Sequence, residues 1–162
     1  MAPYEDKRLS NVMIIVHGCP FPEHLLYDVA NHVWYERLDD GAFRIGMTSV
    51  AVALAGQILA FTPRRVGRPV EAGRACATVE SGKWVGPARI VFDGTVEAVN
   101  ETMINRPHLA NEDCYGAGWM LVARADDSGQ LGGLISGNAL AAAYEAWMDA
   151  EGFPGCETAD DA

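Results

Sequence analysis

The sequence of 162 residues is 49% hydrophobic and 21% charged, a composition typical of one globular domain with its own core. Its formal net charge of −10 and the lack of a long basic run argue against nucleic acid as a partner. No stretch approaches the roughly 20 apolar residues of a membrane span, and the acidic N-terminus lacks the layout of a signal peptide. We therefore expect a cytoplasmic protein that does not bind membranes.

The four cysteines, Cys19, Cys76, Cys114 and Cys156, are scattered singly along the chain. Without a C-x-x-C pair they predict neither a zinc ribbon nor a thioredoxin motif, and we expect no metal site. In a reducing compartment they are expected to be free thiols. Cys19 lies between turn residues, so we expect it to be exposed, either as a redox-active thiol or as an inert loop cysteine.

The first half of the chain reads as short strands separated by turns. The β-branched run 12–16 predicts a strand, and 17–22 predicts a loop because it contains two prolines and a glycine. Strands through 33–35 and 43–46 are joined by the turn residues Asp39-Asp40-Gly41.

A short helix of small apolar residues is predicted over 50–54. Thr48 or Ser49 can cap its N-terminus, and Gly56 can end it. A further strand is expected over 57–61.

One lysine lies on a turn between two strand-like runs. The alternation of Ala75, Ala77 and Val79 predicts a strand with one buried face, and Ser81-Gly82 supplies turn residues. A second apolar run, 90–92, is closed by the hairpin dipeptide Asp93-Gly94. We therefore expect Lys83 to be exposed near a hairpin tip, where an isolated lysine is usually only a solvated charge.

The C-terminal part predicts a strand over 119–123, a glycine-rich link and one helix. Asn138 can cap this helix, and Gly152 can end it in a left-handed conformation. Its apolar face is expected to pack on the β body rather than to form a partner groove. The residues of that face are Leu140, Ala143, Tyr144, Trp147 and Met148.

From roughly residue 27 to 124 the sequence resembles the glycine cleavage system H-protein family. Glu-Ser-x-Lys alone is a weak motif, but the ordered set of motifs is specific. The matching segments are Gly46-Met47-Thr48, Val70-Glu71-Ala72-Gly73, Glu80-Ser81-Gly82-Lys83, Gly94-Thr95-Val96, Pro107 to Asp113, Tyr115-Gly116 and Gly118-Trp119.

The resemblance implies a mainly β fold, the lipoyl/biotinyl-type flattened barrel-sandwich hybrid of two small sheets, with a short internal helix and a C-terminal helix. A weak repeat, in which 94–98 echoes 67–72, agrees with two similar β-halves across one core. The expected organisation is an N-terminal extension (1–26), an H-protein-like lipoyl domain (27–126), a linker with the C-terminal helix packed on the domain (127–156) and an acidic tail (157–162).

The resemblance also implies a carrier rather than an enzyme, with lipoic acid covalently bound to Lys83. Glu80, Ser81 and Gly82 would form the motif around the modified lysine that lipoate-attaching enzymes meet. In glycine cleavage, such a carrier takes an aminomethyl group from glycine decarboxylase to aminomethyltransferase. An unlipoylated scaffold with the same fold is a further alternative.

At three positions where the family places polar or ionisable residues near an amine-bearing arm, this sequence has Val33, Leu54 and Pro87. Trp84 adds apolar surface next to the lysine, so these four residues are candidates for the cleft that receives the arm. An amine would lose its partners there, and an unpaired buried cation is costly. A sulfur-bearing arm would not need such partners, although ordinary drift in a carrier for glycine would explain the same changes.

The segment from Glu80 to Pro87 further resembles the lipoate-binding proteins of the sulfur-oxidising heterodisulfide-reductase-like pathway. This resemblance implies a lipoyl arm that shuttles sulfur-bound intermediates in the cytoplasm. Its partners would be a heterodisulfide-reductase-like complex and a dihydrolipoamide dehydrogenase. Cys19 or Cys114 would be possible redox thiols that assist thiol exchange.

Overall fold

The structure is a computed structural model that describes residues 12–156, so residues 1–11 of the predicted N-terminal extension and the acidic tail 157–162 lie outside the described residues. The strands are β1 (Met13–Val16), β2 (Cys19–Pro22), β3 (Leu26–Asp28), β4 (Val33–Arg37), β5 (Phe43–Met47), β6 (Ile58–Pro63), β7 (Pro69–Val70), β8 (Ala75–Ser81), β9 (Val85–Arg89), β10 (Gly94–Val99), β11 (Leu121–Ala125) and β12 (Ile135–Ser136). The helices are α1 (Ser49–Ala55), α2 (Glu101–Asn105), α3 (Leu109–Glu112) and α4 (Leu140–Glu151), with short 3-10 helices at Ser128–Gly133 and Gly137–Ala139. Across residues 12–156, no helix is long and apolar enough to cross a membrane.

Two sheets of unequal size share the main hydrophobic core. The larger sheet has the strand order β12-β3-β4-β5-β11-β10-β7, and the smaller has the order β6-β8-β9. Phe92 lies on the segment that connects the smaller sheet to the larger one. Its ring packs against those of Tyr35 and Phe43 at centroid distances of 6.1 and 5.8 Å. The predicted mainly β sandwich with an internal and a C-terminal helix is confirmed. No strand pairing joins the two sheets within residues 12–156, so the sandwich is not a closed barrel.

A second core lies between the β1–β2 hairpin and α4. The ring of Phe21 stacks on that of Tyr144 at 4.5 Å, and Leu140 is fully buried in the same cluster. The predicted packing of the C-terminal helix on the β body is therefore confirmed, and Gly152 ends the helix with a φ of 67°. The predicted cap at Asn138 is wrong, because the helix begins at Leu140 after a 3-10 turn and has no side-chain cap.

The segment 17–22, predicted as a loop, instead contains a tight turn and β2. His17 (φ 47°) and Gly18 (φ 81°) both adopt the left-handed conformation that closes a two-residue hairpin between β1 and β2. Pro20 and Pro22 stand two residues apart, so their missing N–H groups fall on one edge of the strand. A strand paired on one side only tolerates proline at that edge.

The hairpin around the lysine is confirmed, but its second strand is not the predicted apolar run. β9 ends at Arg89, and residues 90–92 cross from the smaller sheet to the larger one. β10 then pairs with β11 and β7, so Asp93-Gly94 does not join two paired strands. Ile90 and Phe92 are buried because they lie in the core between the sheets, which explains their strand-like hydrophobicity.

A disulfide joins Cys19 to Cys156, with Cα atoms 4.9 Å apart across a sequence separation of 137. The expectation of four free thiols is therefore wrong for this pair, and Cys19 is fully buried rather than exposed. The chain after α4 folds back to the hairpin, where the backbone N–H of Cys156 donates to the carbonyl of His17 at 3.0 Å. Cys76 and Cys114 are free thiols.

The disulfide is expected to contribute strongly to stability. Cys156→Ser should lower the free energy of unfolding by about 2–4 kcal/mol, because the bond restricts the unfolded chain across a long loop. Urea denaturation without reductant measures the loss, and dithiothreitol should bring the wild-type protein to the level of the variant. Cys114→Ser removes a thiol outside the disulfide and should keep the response to dithiothreitol. A wild-type urea midpoint that ignores dithiothreitol would contradict the expectation.

Candidate functional site

The β8–β9 hairpin presents Lys83 at its tip. Gly82 and Lys83 are exposed, and the backbone N–H of Ser81 donates to the carbonyl of Trp84 at 2.7 Å across the turn. The Ser81 hydroxyl is buried beneath the tip and lies 3.4 Å from both the Lys83 N–H and the Trp84 carbonyl. Ser81 therefore holds the turn from inside. Gly82 has no left-handed backbone and no neighbour that a Cβ would meet, so the fold does not require glycine there.

The lysine side chain lies over the end of α1. Thr48 caps this helix by accepting a hydrogen bond from the backbone N–H of Ala51, and Gly56 ends it with a φ of 80°, as the sequence predicts. A Cβ on Gly56 would lie 3.3 Å from Cε and 3.8 Å from Nζ of Lys83. Gly56 is therefore required by its backbone conformation, and Lys83 lies directly over the face where it lacks a side chain.

Asn111 fixes the bend on which the lysine lies. Its Nδ2 donates to the carbonyl of Gly56 at 2.9 Å, and its Oδ1 accepts from the backbone N–H of Ile58 at 2.8 Å. Both functional groups of one amide thus bind the segment between α1 and β6. This clamp sets the position of the surface beneath Lys83.

A pocket of about 360 Å³ opens beside the hairpin tip. The four predicted cleft residues, Val33, Leu54, Trp84 and Pro87, all line it, and the structure thus brings them together. The remaining lining residues, Asn31, His32, Met47, Ala51, Ala55, Val79 and Ala88, were not predicted. Ala51 and Ala55 could have been predicted, because their three- and four-residue spacing places them on the same face of α1 as Leu54.

The pocket lining is apolar apart from one end. None of its residues is Asp, Glu, Lys or Arg, and its polar side chains are Asn31 and His32. Asn31 donates from its backbone N–H and its side-chain amide to the carboxylate of Asp28, at 3.2 and 2.8 Å. The lining therefore suits an uncharged group and offers no counter-charge to a cation.

His32 forms the polar end and is held by the C-terminal helix. Its backbone is left-handed, with a φ of 59°, which is uncommon for a residue other than glycine. Its Nδ1 lies 3.0 Å from the Tyr144 hydroxyl, and its ring contacts Trp147 edge to face at 4.4 Å. Burial lowers the pKa of His32 to about 4, although the nearby Asp28 carboxylate opposes the shift. The imidazole is therefore neutral near pH 7.

Trp84 covers a glycine next to the lysine. A Cβ on Gly86 would collide with the six-membered ring of the Trp84 indole. Gly86 is buried beneath this indole, whereas Trp84 as a residue is 43% exposed. An aromatic ring thus lies at the pocket, one residue from Lys83, because position 86 has no side chain.

The two predicted redox thiols do not line this pocket. Cys19 is not a free thiol, because it is bonded to Cys156. Cys114 is half-buried and lines a separate groove of about 770 Å³ together with Cys156. Burial, and then the Asp113 carboxylate, raise the pKa of Cys114 to about 12, so it is almost entirely a neutral thiol near pH 7. Within residues 12–156, His, Cys, Asp and Glu do not gather in groups that could hold a metal ion.

The sequence matches the glycine cleavage H-protein family over residues 25–146. It is 46% identical over 112 residues to glycine cleavage system H protein 5 of Aquifex aeolicus (strain VF5), covering 67% of this chain and 75% of that protein. It is 34% identical over 129 residues to probable glycine cleavage system H protein 2 of Sulfurisphaera tokodaii, covering 78% of this chain and 87% of that protein. The solved glycine cleavage system H protein of Mycobacterium marinum superposes with a TM-score of 0.67 at 30% identity, over 82% of this chain and all of that one.

The sandwich fold and the lysine-bearing hairpin define a lipoyl carrier protein, which is not itself an enzyme. The chain belongs to the glycine cleavage H-protein family, whose members hold lipoate covalently on a lysine. The sequence contains two lysines, Lys7 and Lys83, and only Lys83 lies in the segment that matches the family.

Two glycines of the same hairpin are expected to respond differently to alanine. Gly86→Ala should displace the Trp84 indole and cost about 1–3 kcal/mol of stability, because the added methyl group meets the ring. Gly82→Ala should change stability by less than about 0.5 kcal/mol, since a Cβ there meets open space. Urea denaturation and the NMR resonance of the Trp84 indole N–H measure both effects. Equal responses of the two variants would contradict the described packing.

His32 is expected to make stability depend on pH. Because its pKa in the folded protein is about 4, against an ordinary 6.5, the unfolded chain binds the proton first as the pH falls. Stability should therefore fall from pH 6.5 towards pH 4, by up to about 1.4 kcal/mol per pH unit. Urea denaturation of His32→Asn across this range should lack that contribution, whereas the surface variant His108→Asn should keep it. A slope unchanged in His32→Asn would contradict the assignment.

Proposed function

We propose that Lys83 carries the lipoyl arm, that the adjoining apolar pocket receives it, and that the protein acts as a cytoplasmic lipoyl carrier. The observation that carries the proposal is the position of Lys83, on an exposed two-residue tip, over Gly56 and beside the pocket. The absence of any other lysine from the family-matched segment supports the same assignment.

The residues around the lysine fit a lipoyl group. Lipoate, when bound, supplies a dithiol and disulfide pair that takes up and releases groups at sulfur. Amide formation removes the positive charge of the lysine, which favours entry into an apolar pocket. Trp84, Leu54 and Val33 would pack against the arm, and Gly56 lies beneath its base. Ser81 would keep the turn in one shape for a lipoate-attaching enzyme, with Glu80 exposed on the adjoining strand.

The comparisons favour glycine cleavage as the process served. Relatives at 46% and 34% identity are named as H proteins of the glycine cleavage system or probable ones. In this role the arm would receive an aminomethyl group from glycine decarboxylase and pass it to aminomethyltransferase. Lipoate-attaching enzymes and a dihydrolipoamide dehydrogenase would complete the set of partners.

The pocket lining favours a second candidate, the transfer of sulfur-bound intermediates. The lining of the pocket contains no carboxylate that would pair with an amine, and Val33, Leu54 and Pro87 contribute apolar surface instead. A sulfur cargo needs no counter-charge of that kind. Its partner would be a heterodisulfide-reductase-like complex, and the same dehydrogenase would recycle the arm.

The attachment site can be tested by mass spectrometry. Lys83→Arg should abolish lipoylation in the native host, because arginine has no amine to acylate, and Lys7→Arg should leave it unchanged. Intact mass and peptide mapping of protein from that host measure the modification and any group on its sulfurs. Wild-type protein that is wholly unmodified would refute the carrier proposal and leave an unlipoylated scaffold.

The cargo can be tested with a matched pair of leucines. Leu54 lines the pocket and is 45% exposed, whereas Leu59 is 58% exposed and does not line it. If the apolar pocket disfavours an amine cargo, the lipoylated wild-type protein should acquire little aminomethyl group when it is incubated with glycine and glycine decarboxylase. Leu54→Glu should then raise aminomethyl loading about tenfold by supplying a charged partner, and Leu59→Glu should not. Efficient loading of the wild type would instead favour the glycine cleavage role.

A further inference from the structure

One polar side chain of the pocket has its orientation fixed from outside the pocket. Tyr144 of α4 lies between His32 and Thr48, with its hydroxyl oxygen 3.0 Å from Nδ1 of His32 and 3.5 Å from Oγ1 of Thr48. Tyr144 and Thr48 are both fully buried. Buried hydroxyl groups need hydrogen-bond partners, and these contacts supply them for both residues.

The cap of α1 bears on the direction of these hydrogen bonds. Thr48 Oγ1 accepts from the backbone N–H of Ala51 at 3.3 Å, and in its 3.5 Å contact with Tyr144 either hydroxyl can be the donor. The shorter of the two contacts, 3.0 Å against 3.5 Å, favours Nδ1 of His32 as the acceptor of the Tyr144 hydrogen. Burial raises the pKa of Tyr144 above its ordinary value, so the phenol keeps this hydrogen. A neutral imidazole that accepts at Nδ1 carries its proton on Nε2.

The backbone of His32 is held by the same elements. Its carbonyl accepts from the backbone N–H of Thr48 at 3.1 Å, and this contact fixes a residue whose left-handed conformation is otherwise uncommon. Trp147 packs against the ring from a further turn of α4. Side chain and main chain are thus both restrained. His32 lines the pocket, and with Nδ1 turned to Tyr144 its Nε2 is the ring nitrogen left for a contact there.

We propose that His32 is a specificity-determining residue of the pocket, which presents its Nε2–H as a neutral donor to an acceptor atom of the docked arm or its cargo. Tyr144 is the positioning residue that fixes this tautomer. The inference rests on the proposed function, because it assumes that the arm of Lys83 enters the pocket. A sulfur lone pair or a carbonyl oxygen satisfies such a donor, whereas an ammonium group, which has only hydrogens to offer, does not.

Other titratable groups near His32 do not replace this role. Among residues 12–156, the Asp28 carboxylate affects His32 through its charge and not through a hydrogen bond. Its two oxygens accept the two hydrogen bonds from Asn31. Tyr144 faces the ring from α4, and Trp147 carries no charge. The pocket lining itself adds no carboxylate.

The tautomer can be measured on the wild-type full chain without any variant. Nitrogen-15 NMR of histidine-labelled protein should show His32 with a bare Nδ1 and a protonated Nε2. Lipoylation of Lys83, verified by intact mass, should shift the Nε2–H resonance together with the indole N–H resonance of Trp84. A proton on Nδ1 would overturn the proposal. So would an Nε2–H resonance that does not move on lipoylation while the Trp84 resonance does.

Variants test whether the donor holds the arm. The rate at which a water-soluble phosphine reduces the lipoyl disulfide reports how far the arm is sheltered. Tyr144→Phe keeps the aromatic ring but frees the tautomer, and it should raise that rate about three- to tenfold, the range for one neutral hydrogen bond. Tyr115→Phe removes a hydroxyl that bonds Ser49 and Pro20 outside the pocket, and it should leave the rate unchanged. An unchanged rate in Tyr144→Phe would also overturn the proposal.

Failure of the proposed function gives a different result. If Lys83 cannot be lipoylated, or if lipoylation leaves the resonances of His32, Trp84 and Ala51 all unmoved, the arm does not use the pocket. The reduction rate in the wild type would then equal that of free lipoamide. His32→Asn, which suits a left-handed backbone and retains an N–H donor, should keep part of the sheltering if the donor is what matters.

Discussion

The position of the lysine depends on one amide side chain. Asn111 binds the carbonyl of Gly56 and the N–H of Ile58, and so it fixes the end of α1 against the start of β6. α1 forms one wall of the pocket, and β6 pairs with β8, the strand that leads to Lys83. The pocket wall and the strand that pairs with the lysine hairpin both meet at this bend. The Asn111 clamp therefore sets the distance between the hairpin tip and the pocket.

In the proposed function, the polarity of the site couples modification of Lys83 to docking of the arm. An unmodified ammonium group is costly to bury in an apolar pocket, so the bare lysine is better placed at the surface over Gly56, where its amine is accessible to an attaching enzyme. An amide carries no charge and meets no such cost. In the proposed function, the apolar lining that would accept the arm would also keep the lysine outside until it has been acylated.

Local patterns predicted the features that depend on neighbouring residues. The turn at Ser81-Gly82 could be identified from local residue spacing. The apolar residues of the cleft could be identified from the order of the family motifs. The disulfide between Cys19 and Cys156 could not, because only the complete fold brings residues 137 positions apart together. His32 was missed for the same reason, since its left-handed backbone has no glycine signal and its partner Tyr144 lies 112 positions away.

The disulfide also changes the topology of the molecule. With Cys19 bonded to Cys156, the main hydrophobic core, the lysine hairpin and the pocket all belong to one closed covalent ring, whereas β1 lies outside it. A single peptide-bond cleavage anywhere in that ring leaves two polypeptide chains that the disulfide holds together, so no fragment is released. The lysine hairpin, whose exposed tip is the kind of segment that proteases cut, therefore stays attached to the rest of the protein until the disulfide is reduced.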